Sequence, residues 1–170
     1  MNIFVLHDDP VLAAQDQCDK HVVKMIVESA QMLSTVHRML DGTITMRPSK
    51  SGKRTLKYYE LHDDREDVLY KAVHHNHPCT VWSREACMNY DWHYEHFIAL
   101  CDEYTYRYGK IHASDKKLRE LLKTKPKMIP HKNRMTKFKL AMGSNPECVV
   151  VGLGGTDVVE SYRNFYHTKQ

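Results

Sequence analysis

The sequence predicts an all-α, mainly helical fold, and three observations carry that prediction. Residues 19–40, DKHVVKMIVESAQMLSTVHRML, run for twenty-two positions without Gly or Pro, long enough to read as a helix. A second uninterrupted stretch covers residues 79–108. Within it Trp82, Ala86, Tyr90, Phe97, Leu100, Cys101 and Tyr104 recur at helical spacing, so the two stretches are natural packing partners. At 170 residues with 42% hydrophobic content the chain can bury a real core.

Taken in order, residues 2–6, NIFVL, make a short apolar run, either a strand or a tucked N-terminal segment. Asp8 and Asp9 precede Pro10, the pattern of a capped helix with proline in its first turn, expected to continue to about Gln17. The long helix follows and ends near Leu40, where Asp41-Gly42 signals a turn. From there to Lys57 the composition shifts to Gly, Pro, Ser and base, which reads as an exposed, mobile loop. Residues 58–73 read as helical but offer few apolar positions. Pro78 breaks the chain after His74-His75-Asn76-His77 and can open the next helix. The stretch 79–108 is then one helix or two meeting near Asn89, closed by Gly109. Ser114 is placed to cap a short basic helix, Pro126 and Pro130 force irregular chain, and Thr156 is placed to cap a final helix whose Val158, Val159, Tyr162 and Phe165 form a docking stripe. The expected organisation is a helical core over residues 1–110, with a basic extension and docking helix over 111–170 packed on the same domain.

No apolar run approaches the roughly twenty residues that span a bilayer, and MNIFVLHDD lacks a signal-peptide pattern. Five cysteines without a Cys-x-x-Cys pair indicate neither a disulfide framework nor a cysteine zinc site. The expectation is a soluble, cytoplasmic protein with reduced thiols. Net charge is only +4, but residues 110–139 carry a net +9 and residues 47–57 five basic groups and no acid. Two basic segments on an otherwise acidic body suit a polyanion. Lys53, Arg54, Lys57, Lys116, Lys117, Lys123, Lys125 and Lys127 are the candidate phosphate contacts.

Chemistry concentrates on the first long helix. Lys24, Glu28, Gln31 and Thr35 form one narrow polar stripe between two apolar flanks, and a stripe that thin sits in a crease. Lys24 and Glu28, four apart, are side by side: a surface ion pair if solvated, a nucleophile with a base or a stabiliser of positive charge if enclosed. Asn76, His77 and Trp82 offer an imidazole at a helix mouth and a stacking face one turn on. Glu103 and Arg107 are a further pair that either lies on the surface or orients the stripe. The histidines His74, His75, His77, His93 and His96 present metal-ligand chemistry, but in a chain with twelve histidines such clustering arises by chance, and neither metal nor cofactor is expected.

In this order, Asp19-Lys20 with Lys24, Val27-Glu28 and Gln31, then a basic loop, Asn76-His77-Pro78 with Trp82, and Cys101-Asp102-Glu103-Tyr104 with Arg107, the chain resembles the pyrimidine-dimer DNA glycosylase (endonuclease V-like) family over roughly residues 3–110. The resemblance implies a compact helical fold with the long helix in a DNA-facing cleft. It also implies cleavage of the glycosidic bond of a damaged pyrimidine by an amine that attacks C1′ and forms an imine, with strand scission by elimination. Glu28 takes the place of the glutamate that stabilises the developing positive charge, with Lys24 and His77 as further catalytic candidates. Lys20, His21, Gln31, Asn76, Trp82, Glu103 and Arg107 are then candidate substrate contacts. The family's amine is an α-amino group exposed when methionine is removed from a small second residue; here that residue is Asn2, so the Met1 amine, Lys24 and water all stand as candidates for the attacking group. Two other functions stay open: an enzyme of the same fold acting on a free nucleotide or nucleoside, and a nucleic-acid-binding module without catalysis.

Overall fold

The computed structural model describes residues 1–168. The elements run α1 (Pro10–Gln15), α2 (Asp19–Asp41), β1 (Thr43–Pro48), β2 (Thr55–Glu60), α3 (Arg65–Val68), α4 (Pro78–Glu85), α5 (Cys87–Tyr108), α6 (Ala113–Lys123), β3 (Val150–Gly152), β4 (Gly155–Asp157) and α7 (Val158–His167), with a single 3-10 turn at Pro146–Cys148. The fold is mainly helical. Helix α2 is the axis: α4, α5 and α6 pack around it, and α1 lies on α5. One hydrophobic core gathers side chains from the whole length, from Ile3 and Met25 through Trp82 and Leu100 to Leu118, Met142 and Tyr162.

Residues 2–6 form the tucked segment, not a strand. Ile3, Phe4, Val5 and Leu6 are all buried, and Phe4 takes a left-handed φ of 56°. That conformation is costly for a bulky side chain and persists only where the surroundings impose it. Asp9 caps α1 by accepting from the amides of Val11 and Leu12, and the helix stops two residues short of Gln17.

The basic stretch after α2 is an antiparallel hairpin rather than an irregular loop, in register from Thr43 opposite Glu60 to Pro48 opposite Thr55. Gly42 makes the turn into it possible, because a Cβ there would lie 2.4 Å from the Arg38 carbonyl oxygen. Residues 58–73 are not the expected helix. They complete β2 and then run mostly irregular around the single turn of α3. The reason is Arg38, only 1% exposed. Its guanidinium donates to the carbonyls of Tyr59, Glu66, Leu69 and Tyr70 and to the Glu66 carboxylate at 2.6 Å. Carbonyls that would close helical turns instead satisfy a buried cation.

The second long stretch is two helices, and they meet at Ala86, which is extended. Asn89 seals the joint, donating to the Trp82 carbonyl at 2.7 Å. Gly109, at φ 64°, ends α5 in the left-handed conformation that glycine adopts freely. Two caps differ from expectation. His112, not Ser114, caps α6, its ring accepting from the Ser114 amide, and Asp157 caps α7 while Thr156 belongs to β4. The expected end of the last helix at residue 169 lies outside the described residues.

Candidate active site

Helix α2 turns Glu28 inward, and the residue is 9% exposed. Its carboxylate Oε2 accepts from the backbone N–H of Asn2 at 2.8 Å and stands 3.6 Å from the α-amine of Met1. The other oxygen, Oε1, lies 3.4 Å from Lys24 Nζ. The two side chains are differently placed. The side chain of Lys24 is 67% exposed, whereas that of Met1 is enclosed.

The N-terminus reaches this position because Asn2 is anchored from all sides. Its Oδ1 accepts from the amides of Ile3 and Phe4 and from the Tyr162 hydroxyl at 2.7 Å, and its Nδ2 donates to the Ala141 carbonyl at 3.0 Å. The amide of Ala141 in turn donates to the Tyr162 oxygen, so Asn2, Ala141 and Tyr162 form a closed ring of hydrogen bonds. His77 completes the corner. Its Nδ1 accepts from the Cys79 amide at 3.3 Å, and the ring lies against the backbone of Met1. Burial lowers the His77 pKa, helped by the positive N-terminus and His74 and opposed by Glu28, so the ring is neutral at physiological pH. Just before this corner, His74 carries the second left-handed φ of a non-glycine residue, 49°.

A cavity of about 190 Å³ opens beside Glu28. Its lining brings Met1, His21 and Lys24 together with Met142, Asn145 and Phe165. His21 stacks on Phe4 with ring centroids 4.5 Å apart, and its Nδ1 meets the Tyr166 hydroxyl. Thus Glu28, Lys24, His77 and His21 gather around the N-terminus. Lys20 is exposed on the first turn of α2, Gln31 is half-buried one turn beyond Glu28, and Asn76 is exposed in the turn before α4.

Three expectations are corrected. Trp82 has no stacking face to offer: it is 1% exposed, packed against Trp92 and Phe138, with its N–H donating to the Thr136 carbonyl. Glu103 and Arg107 do not face the stripe. Arg107 binds Glu103, Asp19 and the carbonyls of Gln15 and Gln17, clamping the end of α5 to the α1–α2 junction. Lys125 is held by Asp91 at 2.8 Å through both carboxylate oxygens, which occupies the charge proposed for phosphate. Lys53, Arg54, Lys57, Lys116, Lys117, Lys123 and Lys127 are exposed. Among the described residues no group of three or more His, Cys, Asp or Glu side chains is placed to hold a metal ion, and no helix is long and apolar enough to cross a membrane.

The C-terminal residues that line the cavity carry no sequence signal for it. The sequence marks Asn2 only as the start of the apolar run and as a second residue too large for methionine removal, and Tyr162 and Phe165 only as parts of a docking stripe. The pairing of residues 2 and 162 leaves no local pattern to read.

Fold and site together define a helical protein that encloses a carboxylate against an amine beside a small cavity, flanked by exposed basic segments. A family model described as pyrimidine dimer DNA glycosylase matches residues 1–117. The chain belongs to that family. No curated protein and no solved structure matches it. The matched span contains Lys24, Glu28 and His77; Ala141, Asn145, Tyr162 and Phe165 lie beyond it.

Proposed function

We propose that the protein excises a damaged pyrimidine from duplex DNA, with the N-terminal α-amine as nucleophile and Glu28 as its electrostatic partner. One observation supports this above others: the Met1 amine stands 3.6 Å from the buried Glu28 carboxylate, in a chain of this family. The amine attacks C1′ as the glycosidic C–N bond breaks and the base departs. Positive charge develops on the sugar, and a fixed carboxylate in a low-dielectric crease stabilises it. The sugar opens to an imine with the amine, and loss of a C2′ proton to Glu28 then expels the 3′ phosphate. The nucleotide that reacts, or its partner, must leave the stack to enter the cavity.

The backbone nitrogen of Asn2 lies on the same carboxylate oxygen. Whichever of the first two residues carries the free amine, that nitrogen lies against Glu28. Lys24 also reaches the carboxylate, but its side chain is 67% exposed, so it is hydrated and less firmly positioned than the N-terminus. Neutral His77 lies against the Met1 backbone and adds no competing charge.

Incubation with ultraviolet-irradiated duplex DNA in the presence of borohydride tests this reading. The expected result is released base, strand nicking and a covalent adduct. Glu28→Gln keeps an acceptor for the Asn2 amide but removes the charge, and is expected to slow excision by about 10²–10³-fold. Absence of base release, nicking and adduct from the unaltered protein would overturn the reading. Duplex binding without turnover would point to a binding module, and turnover of free nucleotides alone to a nucleotide enzyme.

A further inference from the structure

We infer that the β1–β2 hairpin is a DNA-engaging arm, a ribbon whose apolar face lies in a groove of the duplex beside the Glu28 site while its basic turn grips phosphates. The inference rests on the reading of that site as DNA-acting, and four features of the hairpin carry it.

The first is exposed apolar surface without a structural reason. Ile44 is 55% and Met46 61% exposed, and alternation puts them on one face with Tyr59 and Lys57, their cross-strand partners. A two-stranded ribbon gains no core from such residues, and exposed apolar surface rimmed by charge marks a contact site. The second is charge. Among the described residues, Lys50, Lys53, Arg54 and Lys57 have no ion pair, while Arg47 is engaged by Glu60 at 3.2 Å and by the Tyr58 ring. Three uncompensated cations around one turn, with Lys57 on the adjoining strand, fit a polyanion and disfavour a second copy of the same surface.

The third is placement. On the apolar face, Tyr59 packs its ring 5.0 Å from that of His75, two residues before the His77 that touches Met1. The hairpin is therefore rooted at the corner that roofs the site. Tyr58 anchors the opposite face through the Glu66 carboxylate. The fourth is size. Strands of six residues reach roughly 20 Å, and a two-stranded ribbon fits a major groove about 12 Å wide. There Met46 and Ile44 would meet thymine methyl groups and base edges, while Lys50, Lys53 and Arg54 reach the flanking backbone.

Two variants of the full chain, compared with the unaltered protein on a duplex bearing one pyrimidine dimer, test the arm. Melting curves check that each is folded. Lys50→Ala/Lys53→Ala/Arg54→Ala is expected to lower the slope of log affinity against log salt by about 2–3, since each lost phosphate contact removes about 0.9. Ile44→Gln/Met46→Gln is expected to weaken duplex binding about tenfold with the slope unchanged, and to erase hydroxyl-radical protection on one side of the lesion. If both variants bind and protect as the unaltered protein does, the arm is refuted, and excision by all three proteins would leave the glycosylase reading intact. If the unaltered protein binds duplex without excising and the variants lose that binding, the arm stands and the glycosylase reading falls. A change of sedimentation state in the Ile44/Met46 variant with DNA binding unaltered would assign the face to another copy of the chain and refute the arm.

Discussion

Replacing Tyr162 by phenylalanine removes a single oxygen from a fully buried ring and leaves no cavity of consequence. Two hydrogen bonds go with it: the donation to Asn2 Oδ1 at 2.7 Å and the acceptance from the Ala141 amide at 3.0 Å. Asn2 Oδ1 keeps the amides of Ile3 and Phe4, so its loss is about 1 kcal/mol, the net worth of a neutral bond. The Ala141 N–H is left without that acceptor, which costs about 1–2 kcal/mol more. The total of about 2–3 kcal/mol corresponds to a fall in Tm of roughly 5–10 °C for a chain of this size. Stability is not the main readout. The ring of Asn2, Ala141 and Tyr162 holds residue 1 against Glu28, and loosening that ring lets the amine drift by a fraction of an ångström. Misplacement of about 1 Å costs up to 10²-fold in rate, so borohydride trapping in single turnover, run well below the melting temperature, is expected to slow at least tenfold. Duplex affinity should not change, since Tyr162 touches no surface. A variant that melts lower but traps at the rate of the unaltered protein would show that Tyr162 only stabilises the fold and would refute the positioning argument.

Three buried histidines make a prediction about acid. Burial first of all, joined by Arg65 at His37 and by His96 at His93, lowers the pKa of His37 to about 4, of His93 to about 3 and of His96 to about 4. Their contribution is complete above pH 6.5, where the unfolded chain is neutral too, and is lost as pH falls toward the folded values. At pH 5 each costs about 2 kcal/mol, so Tm is expected to drop steeply between pH 6.5 and 5. A flat profile over that interval would contradict the assignment. Arg107→Ala is expected to lose about 1–3 kcal/mol of stability by freeing the carbonyls of Gln15 and Gln17, measured by denaturant titration, with excision below the transition unaffected; loss of excision in the folded variant would return Arg107 to the site.

Much of this was legible in the sequence where the signal is local. The Lys24, Glu28, Gln31 and Thr35 stripe follows from helical spacing, and the tight apolar flanks foretell that Glu28 is buried. Pro78 and Gly109 mark helix boundaries by backbone chemistry alone. The misreadings share a different cause. Residues 58–73 have helical composition, but a distant cation, Arg38, takes their carbonyls. Trp82 follows the Asn-His-Pro corner by one helical turn, yet that turn faces Trp92 and Phe138, which no spacing rule reveals. Within the hairpin strands only Tyr59 is buried, so the alternation that announces a strand is weak. The far wall of the site comes from residues some 110–160 positions along the chain from those it faces, and Asn2 meets Tyr162 only once the fold has closed.

The account rests on the proximity of the N-terminal amine to the Glu28 carboxylate, and peptide mapping of the borohydride-trapped adduct by mass spectrometry tests it most directly. The DNA-derived mass is expected on the α-amine of the N-terminal peptide. Its appearance on the peptide carrying Lys24, or base release with no trapped adduct at all, would contradict the account.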